Sequence, residues 1–362
     1  MPRSRVGFPR GHRAVDSIDP SCSAMNLALT ELPFLISALL AAVMGFAIQR
    51  GATCMVAAVD EIVAKRGTRR LRAMLGASLW VLAGLLVAQS WHVLPKMPAG
   101  YEVTAYTVVG GALLGVGAFV GRACVFGAIA RFGNGEWAYL LVPAGFFAGC
   151  ATVAPVFMPM MPRPLAQGSA VIGAPVWGAV AIGAVIAAAV FRSRIRAPAS
   201  GGDGDATPSV SARFGFAARV WSPGAATAVI GVTFFFMMLL VGPWAYTEAL
   251  ADAARGMPRN LLPRVLLMFA LFAGAFIGGL TARRFGSTPI TVARAARCLA
   301  SGVLMGWGSL LIPGGNDGLI LVGMPLLFPY AWVAIVSMAL AIGIAMVATR
   351  GAVEGRPNVA RP

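Results

Sequence analysis

The sequence predicts an all-α integral membrane protein, with about nine transmembrane helices, short re-entrant helices between them, and two pseudo-symmetric halves of inverted sense. Three observations carry this. Hydrophobic residues make up 58% of the chain and charged residues 12%, about half the charge of a typical soluble domain. Apolar runs, most of them near the ~20 residues that a helix needs to cross a bilayer, recur at 31–49, 73–91, 105–121, 138–156, 171–191, 224–243, 263–282, 298–313 and 330–348. A glycine spacing also recurs: Gly45 stands nine residues before Cys54, Gly115 nine before Cys124, and Gly306 nine before Gly315. A shared offset on a residue as rare as cysteine, 5 of 362, points to an internal repeat.

In chain order, residues 1–24 are polar and Arg-rich and lack the apolar core of a signal peptide, so they read as a disordered or mis-called leader ahead of Met25. Residues 25–192 form the first membrane half. The segment 193–222, with APASGGDGDATPS, reads as a flexible cytoplasmic linker. Residues 223–350 form the second half and 351–362 a cytoplasmic tail.

Between the spans lie pieces too short to cross, at 52–63, 124–136, 287–297 and 316–327, each beginning just after glycine or small residues. Non-helical backbone at membrane depth must be buried in protein or line a wet cavity, so these read as re-entrant or interfacial half-helices. Basic clusters set the orientation: Lys65 to Arg72, Arg192 to Arg219, Arg283 to Arg297 and Arg350 to Arg361 are expected in the cytoplasm. The loops at 92–104, 157–170 and 244–262 then lie outside. By this parity the span before Cys124 and the span before Gly315 run in opposite senses, as in inverted-repeat transporters.

The net charge of +16 does not point to nucleic acid, because the basic residues sit in short clusters between apolar runs rather than along one face. The five cysteines are far apart, with no CxxC, and only His12 and His92 are present. That argues against a metal site, a disulfide framework or a haem. No hydrolase elbow, zincin or Walker motif occurs, so no catalytic residues and no cofactor are expected.

The chemistry-bearing candidates cluster at the breaks. Cys54 follows Arg50 and Gly51, and Cys124 follows Gly121 and Arg122, with Gly127 just beyond. Each cysteine is expected to open a short helix whose free N–H groups favour an anion. Gly314, Gly315, Asn316 and Asp317 occupy the corresponding place in the third copy, where Asp317 also reads as a cap for the following helix. Glu136 reads as an ion-pair partner of Arg131. Cys150 and Cys298 lack such company and read as small buried residues.

Taken together, GFAIQRGATC, GVGAFVGRACVFG followed by IARFGNGEWAYL, and LMGWGSLLIPGGNDGLILVGMPLLFP resemble the YeeE/YedE family of sulfur-compound transporters over most of Met25 to Arg350. The resemblance implies nine transmembrane and several re-entrant helices around an hourglass-like path, with cysteines near its constriction and thiosulfate as the ion taken up. Cys54 and Cys124 match the first two of the family's three path cysteines; the third position falls on Gly315, where the repeat suggests that cysteine would be tolerated. A transporter or channel of the bacterial inner membrane, and not an enzyme, is therefore expected, with a small sulfur-containing anion and membrane lipid as partners. A soluble cytoplasmic sulfur-carrier protein is a further candidate partner. Two alternatives stay open: a membrane thiol enzyme passing sulfane sulfur through a persulfide on Cys124, and a non-transporting subunit of a larger complex.

Overall fold

The computed structural model describes residues 20–94, 97–157, 163–165, 168–172, 177–178, 181, 220–256, 261–283 and 285–354. The leader up to residue 19, most of the expected span 171–191 and the linker up to residue 219 lie outside them. The described chain is helical, with one isolated bridge between Tyr101 and Pro164. In order the helices are α1 (Pro20–Gly51), α2 (Met55–Lys65), α3 (Arg69–Ser90), α4 (Ala105–Gly121), α5 (Val125–Gly133), α6 (Leu141–Phe157), α7 (Pro223–Val241), α8 (Tyr246–Ala254), α9 (Leu261–Thr281), α10 (Val292–Leu311), α11 (Asn316–Gly323) and α12 (Pro329–Glu354). The later part of α11, Leu319–Gly323, is wound as a π-helix.

Among the described residues, six stretches are long and apolar enough to cross a membrane: Leu32–Lys65, Arg69–Ser90, Ala105–Gly133, Pro223–Val241, Leu261–Thr281 and Pro329–Arg350. A seventh forms if α10 and α11, bent 55° at the break between them, count as one. The run at 138–156 becomes a four-residue 3-10 turn, Trp137–Leu140, followed by α6, which at 17 residues is short for a full crossing. The chain is thus an all-α multi-pass membrane protein.

The stretch through α4 and α5 is the innermost, with 67% of its apolar window buried, against 28% for α9. Leu39, Phe269, Leu340 and Ile344 stand exposed on the outside, as expected of side chains that meet lipid rather than water. Inside, α1 packs on α7 and α9, α3 on α7, α4 on α10 and α12, and α10 on α6.

The repeated glycine explains three of these contacts. A Cβ on Gly45 would meet the Leu271 carbonyl of α9, one on Gly115 the Met338 carbonyl of α12, and one on Gly306 the Phe146 carbonyl of α6. Each copy thus begins with a glycine that lets two backbones touch, the use small residues have where lipid supplies no hydrophobic drive for helix association.

Candidate functional site

Nine residues beyond each of these glycines the helix has ended and the next begins. Cys54 is the N-cap residue of α2, Cys124 of α5 and Gly315 of α11, all three with extended backbone. The three positions are structurally equivalent. None of them uses its own side chain to cap the helix it opens.

Cys54 and Cys124, 70 residues apart in sequence, lie together in the core. The backbone N–H of Cys124 donates to Cys54 Sγ at 3.4 Å, and that of Met55 donates to Cys124 Sγ at 3.3 Å. The exchange is reciprocal: each sulfur accepts an N–H from the turn that carries the other cysteine. Two of the otherwise unpaired donors at helix starts are satisfied in this way by thiols. Gly127 completes the arrangement, because a Cβ there would stand 2.6 Å from Cys54 Sγ.

Two cavities that share no lining residue lie in the described structure, and one of them reaches this pair. The larger, about 1100 Å³, reaches Cys54 and Gly127 and is ringed by Arg70, Arg122, Arg131, Arg297 and Arg350 against Asp60 and Glu136. Arg131 pairs with Glu136 at 3.3 Å, as the sequence suggests, and Arg350 with Asp60 at 2.7 Å. Five guanidiniums against two carboxylates leave a field that attracts anions.

The smaller cavity, about 250 Å³, reaches Gly314 and Gly315 and is lined by Tyr101, Thr247, Glu248, Asp252, Arg255, Arg264 and Tyr330 among others. Its two arginines are both held by Asp252, at 2.8 Å from Arg255 and 2.5 Å from Arg264. Burial, and next the charge of Asp317, push the Glu248 carboxyl up to about 8.

Tyr246, which precedes the cavity-lining Thr247, donates its hydroxyl to the Val125 carbonyl at 3.4 Å, tying α8 to the start of α5. Asp317 is buried and is not the cap of its helix, a place that Gly315 takes; it accepts the Thr247 hydroxyl and, at 3.3 Å, the Thr247 backbone N–H. Asn316 is wholly buried, and neither its carbonyl oxygen nor its amide nitrogen has a partner. A buried primary amide left so is rare and costs about 1–3 kcal/mol per unmet group, the signature of a group kept for a ligand or water.

A family model described as sulphur transport matches residues 50–344, which include Cys54, Cys124 and Gly315. The chain belongs to this family, the YeeE/YedE family. No curated protein matches it.

The sequence candidates of this sulphur-transport protein sort by position. Cys54, Cys124, Arg122 and Gly127 gather at the thiol pair and the larger cavity, Gly314 and Gly315 line the smaller one, and Asn316 and Asp317 follow them in the turn that opens α11. Arg50 and Gly51 face elsewhere: the Arg50 guanidinium lies 4.8 Å from the centre of the Phe46 ring and donates to Thr281 at 2.8 Å, while Gly51 abuts Ala226 of α7. Gly121 is a packing residue against Ser301, and its carbonyl accepts the Tyr139 hydroxyl. Cys150 and Cys298 are buried away from the pair; Cys150 contacts the Gly306 carbonyl at 3.6 Å.

Helix α8 is the part that sequence reasoning missed. Its segment, YTEALADAA, falls in the expected outside loop 244–262 and is nine residues long with two carboxylates, so neither length nor hydropathy marks it as part of a path. The available signal was weaker: Glu248 in a first turn and an apolar stripe of Tyr246, Ala249 and Leu250.

Proposed function

We propose that this chain is an uptake transporter or channel of the bacterial inner membrane for a sulfur-containing anion, most readily thiosulfate. The ion enters by the cavity at Gly315, passes Asn316 and the Cys124–Cys54 pair, and leaves through the arginine-rich cavity. In this reading the arginine-rich face is cytoplasmic, since short basic loops remain inside. We take the topology to be nine crossings in two inverted halves, with α2 and α5 as re-entrant helices.

The observation that carries the reading is the thiol pair, reached by the arginine-rich cavity and joined through the Val125–Tyr246 hydrogen bond to α8, which lines the other cavity. Thiosulfate is a dianion with one soft terminal sulfur, and a neutral thiol is a weak S–H donor, suited to a shallow contact that releases as readily as it binds. Such a path requires neutral thiols, because a thiolate would repel the ion. The arginine-rich cavity then draws the ion onward, and a soluble sulfur carrier could collect it there.

Growth of a sulfate-uptake-deficient bacterium on thiosulfate as sole sulfur source tests this. Cys124→Ala should abolish growth, while Cys150→Ala and Cys298→Ala should leave it near the parent. Cys124→Ala also orphans the Met55 N–H at a cost of about 1–3 kcal/mol, so Cys124→Ser, which keeps an acceptor, separates lost transport from lost folding. Equal growth with Cys124→Ser and parent would remove the soft sulfur contact from the mechanism.

Adjacency of the two thiols also favours a second reading, a thiol enzyme in which Cys124 takes the outer sulfur of thiosulfate as a persulfide and releases sulfite. Stoichiometric sulfite release by purified protein in detergent identifies it; transport without sulfite release excludes it.

A further inference from the structure

The smaller cavity poses a difficulty for an anion path. Where the first two copies of the repeat place Cys54 and Cys124, the third has Gly315, and the space that a side chain there would fill is taken by Thr247 of α8. Thr247 in turn binds Asp317, which is 3% exposed. The next residue of α8, Glu248, sets its carboxyl in the groove left by Gly318: a Cβ on that glycine would stand 2.7 Å from Glu248 Oε1. Two carboxyl groups therefore flank the turn that opens α11.

The charged and titratable groups that face them come from four other places. Asp252 and Arg255 lie further along α8, Arg264 comes from α9, Tyr101 from the segment before α4, and Tyr330 from α12. With all three carboxyls ionised and the tyrosines neutral, Glu248, Asp252 and Asp317 meet two guanidiniums, a net charge of −1, and both guanidiniums are already engaged by Asp252. A dianion arriving here would be repelled, yet Asn316, fully buried with both amide atoms unmatched, stands beside the same turn as a ready ligand. The two facts agree once the carboxyl pair holds a proton, since neighbouring carboxylates beside a further negative charge in a desolvated site do not all remain ionised.

We propose that Glu248 and Asp317 form a proton-binding site that loads together with the anion, so that the protein couples sulfur-anion entry to proton entry. This rests on the uptake reading above. The site takes a proton from the Gly315 side, which neutralises the mouth and lets Asn316 bind the ion's oxygens; release of the proton on the far side restores the repulsion and hinders return. Because Glu248 titrates at about 8, it is protonated below that pH and ionised above it, so loading is lost as the outside pH rises.

Purified protein in sodium-free liposomes, with thiosulfate outside and a pH-sensitive dye following protons, tests the proposal. Thiosulfate entry should bring protons in with it, and the initial rate should fall about tenfold between outside pH of about 7 and about 9, the change in protonated fraction of one group titrating at about 8. Glu248→Gln, which mimics the protonated carboxyl, should carry thiosulfate only down its gradient, with no proton movement and no dependence on pH. Asp317→Asn disturbs the Thr247 contact and is read by thiosulfate exchange between the two faces, which needs no net proton transfer: exchange kept with net proton-driven uptake lost supports the site. Thiosulfate uptake that moves no protons and ignores outside pH overturns the coupling while leaving the uptake reading intact. Uptake that requires sodium and moves no protons overturns it in favour of a metal cation. No thiosulfate movement by the parent protein under any gradient overturns both.

Discussion

Gly315 shows how a residue can mislead when read in register. Its backbone, φ −78° and ψ 175°, suits any amino acid, and the repeat suggests that cysteine belongs there. The obstacle is Thr247, whose hydroxyl overlaps the place of a new Cβ and whose own Cβ lies 2.7 Å from it. Gly315→Cys alone should therefore destabilise the protein by about 1–3 kcal/mol, as overpacking in a close-packed core does. Thr247→Gly frees much of the space, but it costs about 1 kcal/mol in the helix and also removes the hydroxyl that buried Asp317 accepts. Gly315→Cys should therefore lower the melting temperature less in the Thr247→Gly background than in the parent, both in detergent; an equal drop would mean that Thr247 is not what excludes a side chain at 315. Gly314, by contrast, is fixed by its backbone, since φ of +151° is open to glycine and to almost nothing else.

At the scale of elements, the repeated unit is a glycine contact, five or six further helical residues and a break, with an extended N-cap residue nine positions after the glycine. The contact glycine and the break have separate roles. Gly45→Ala would force α1 off the α9 backbone, costing about 1–3 kcal/mol, because a carbonyl cannot move aside as a side-chain tip can. Gly76 of α3 is the control: a Cβ there meets only Thr227 Oγ1 at 4.0 Å, so Gly76→Ala should gain about 0.4–1 kcal/mol. Thermal melts of both variants in one detergent check the opposite signs. These elements were legible because each rests on a local cue, an apolar run or a glycine next to a cysteine. Helix α8 was not, since its place is set by Tyr246 bonding to Val125 and Thr247 to Asp317, partners 121 and 70 residues away.

For the whole molecule, charge divides the two faces. Arg70 and Asn134 line the arginine-rich cavity, and the loop after Arg283 joins the same face through the Gly286 N–H, which donates to the Asn134 carbonyl at 2.9 Å. Tyr101 lines the other cavity. A membrane-impermeant thiol reagent applied to whole cells should accordingly label Tyr101→Cys and spare Arg69→Cys and Arg283→Cys. Labelling of position 69 but not 101 would invert the orientation and with it the direction of the path.

By itself, the sequence determined the membrane class, most of the helices, the three equivalent breaks and the family, because hydropathy, helix ends and motif spacing are local properties written in consecutive residues. Only the tertiary structure decided that Cys54 and Cys124 exchange hydrogen bonds, that Arg50 and Gly51 turn away from them, and that Thr247 and Glu248 stand at Gly315. Those relations depend on how helices tens of residues apart lie against one another, and no periodicity within a segment records which neighbour fills the space that a glycine leaves open.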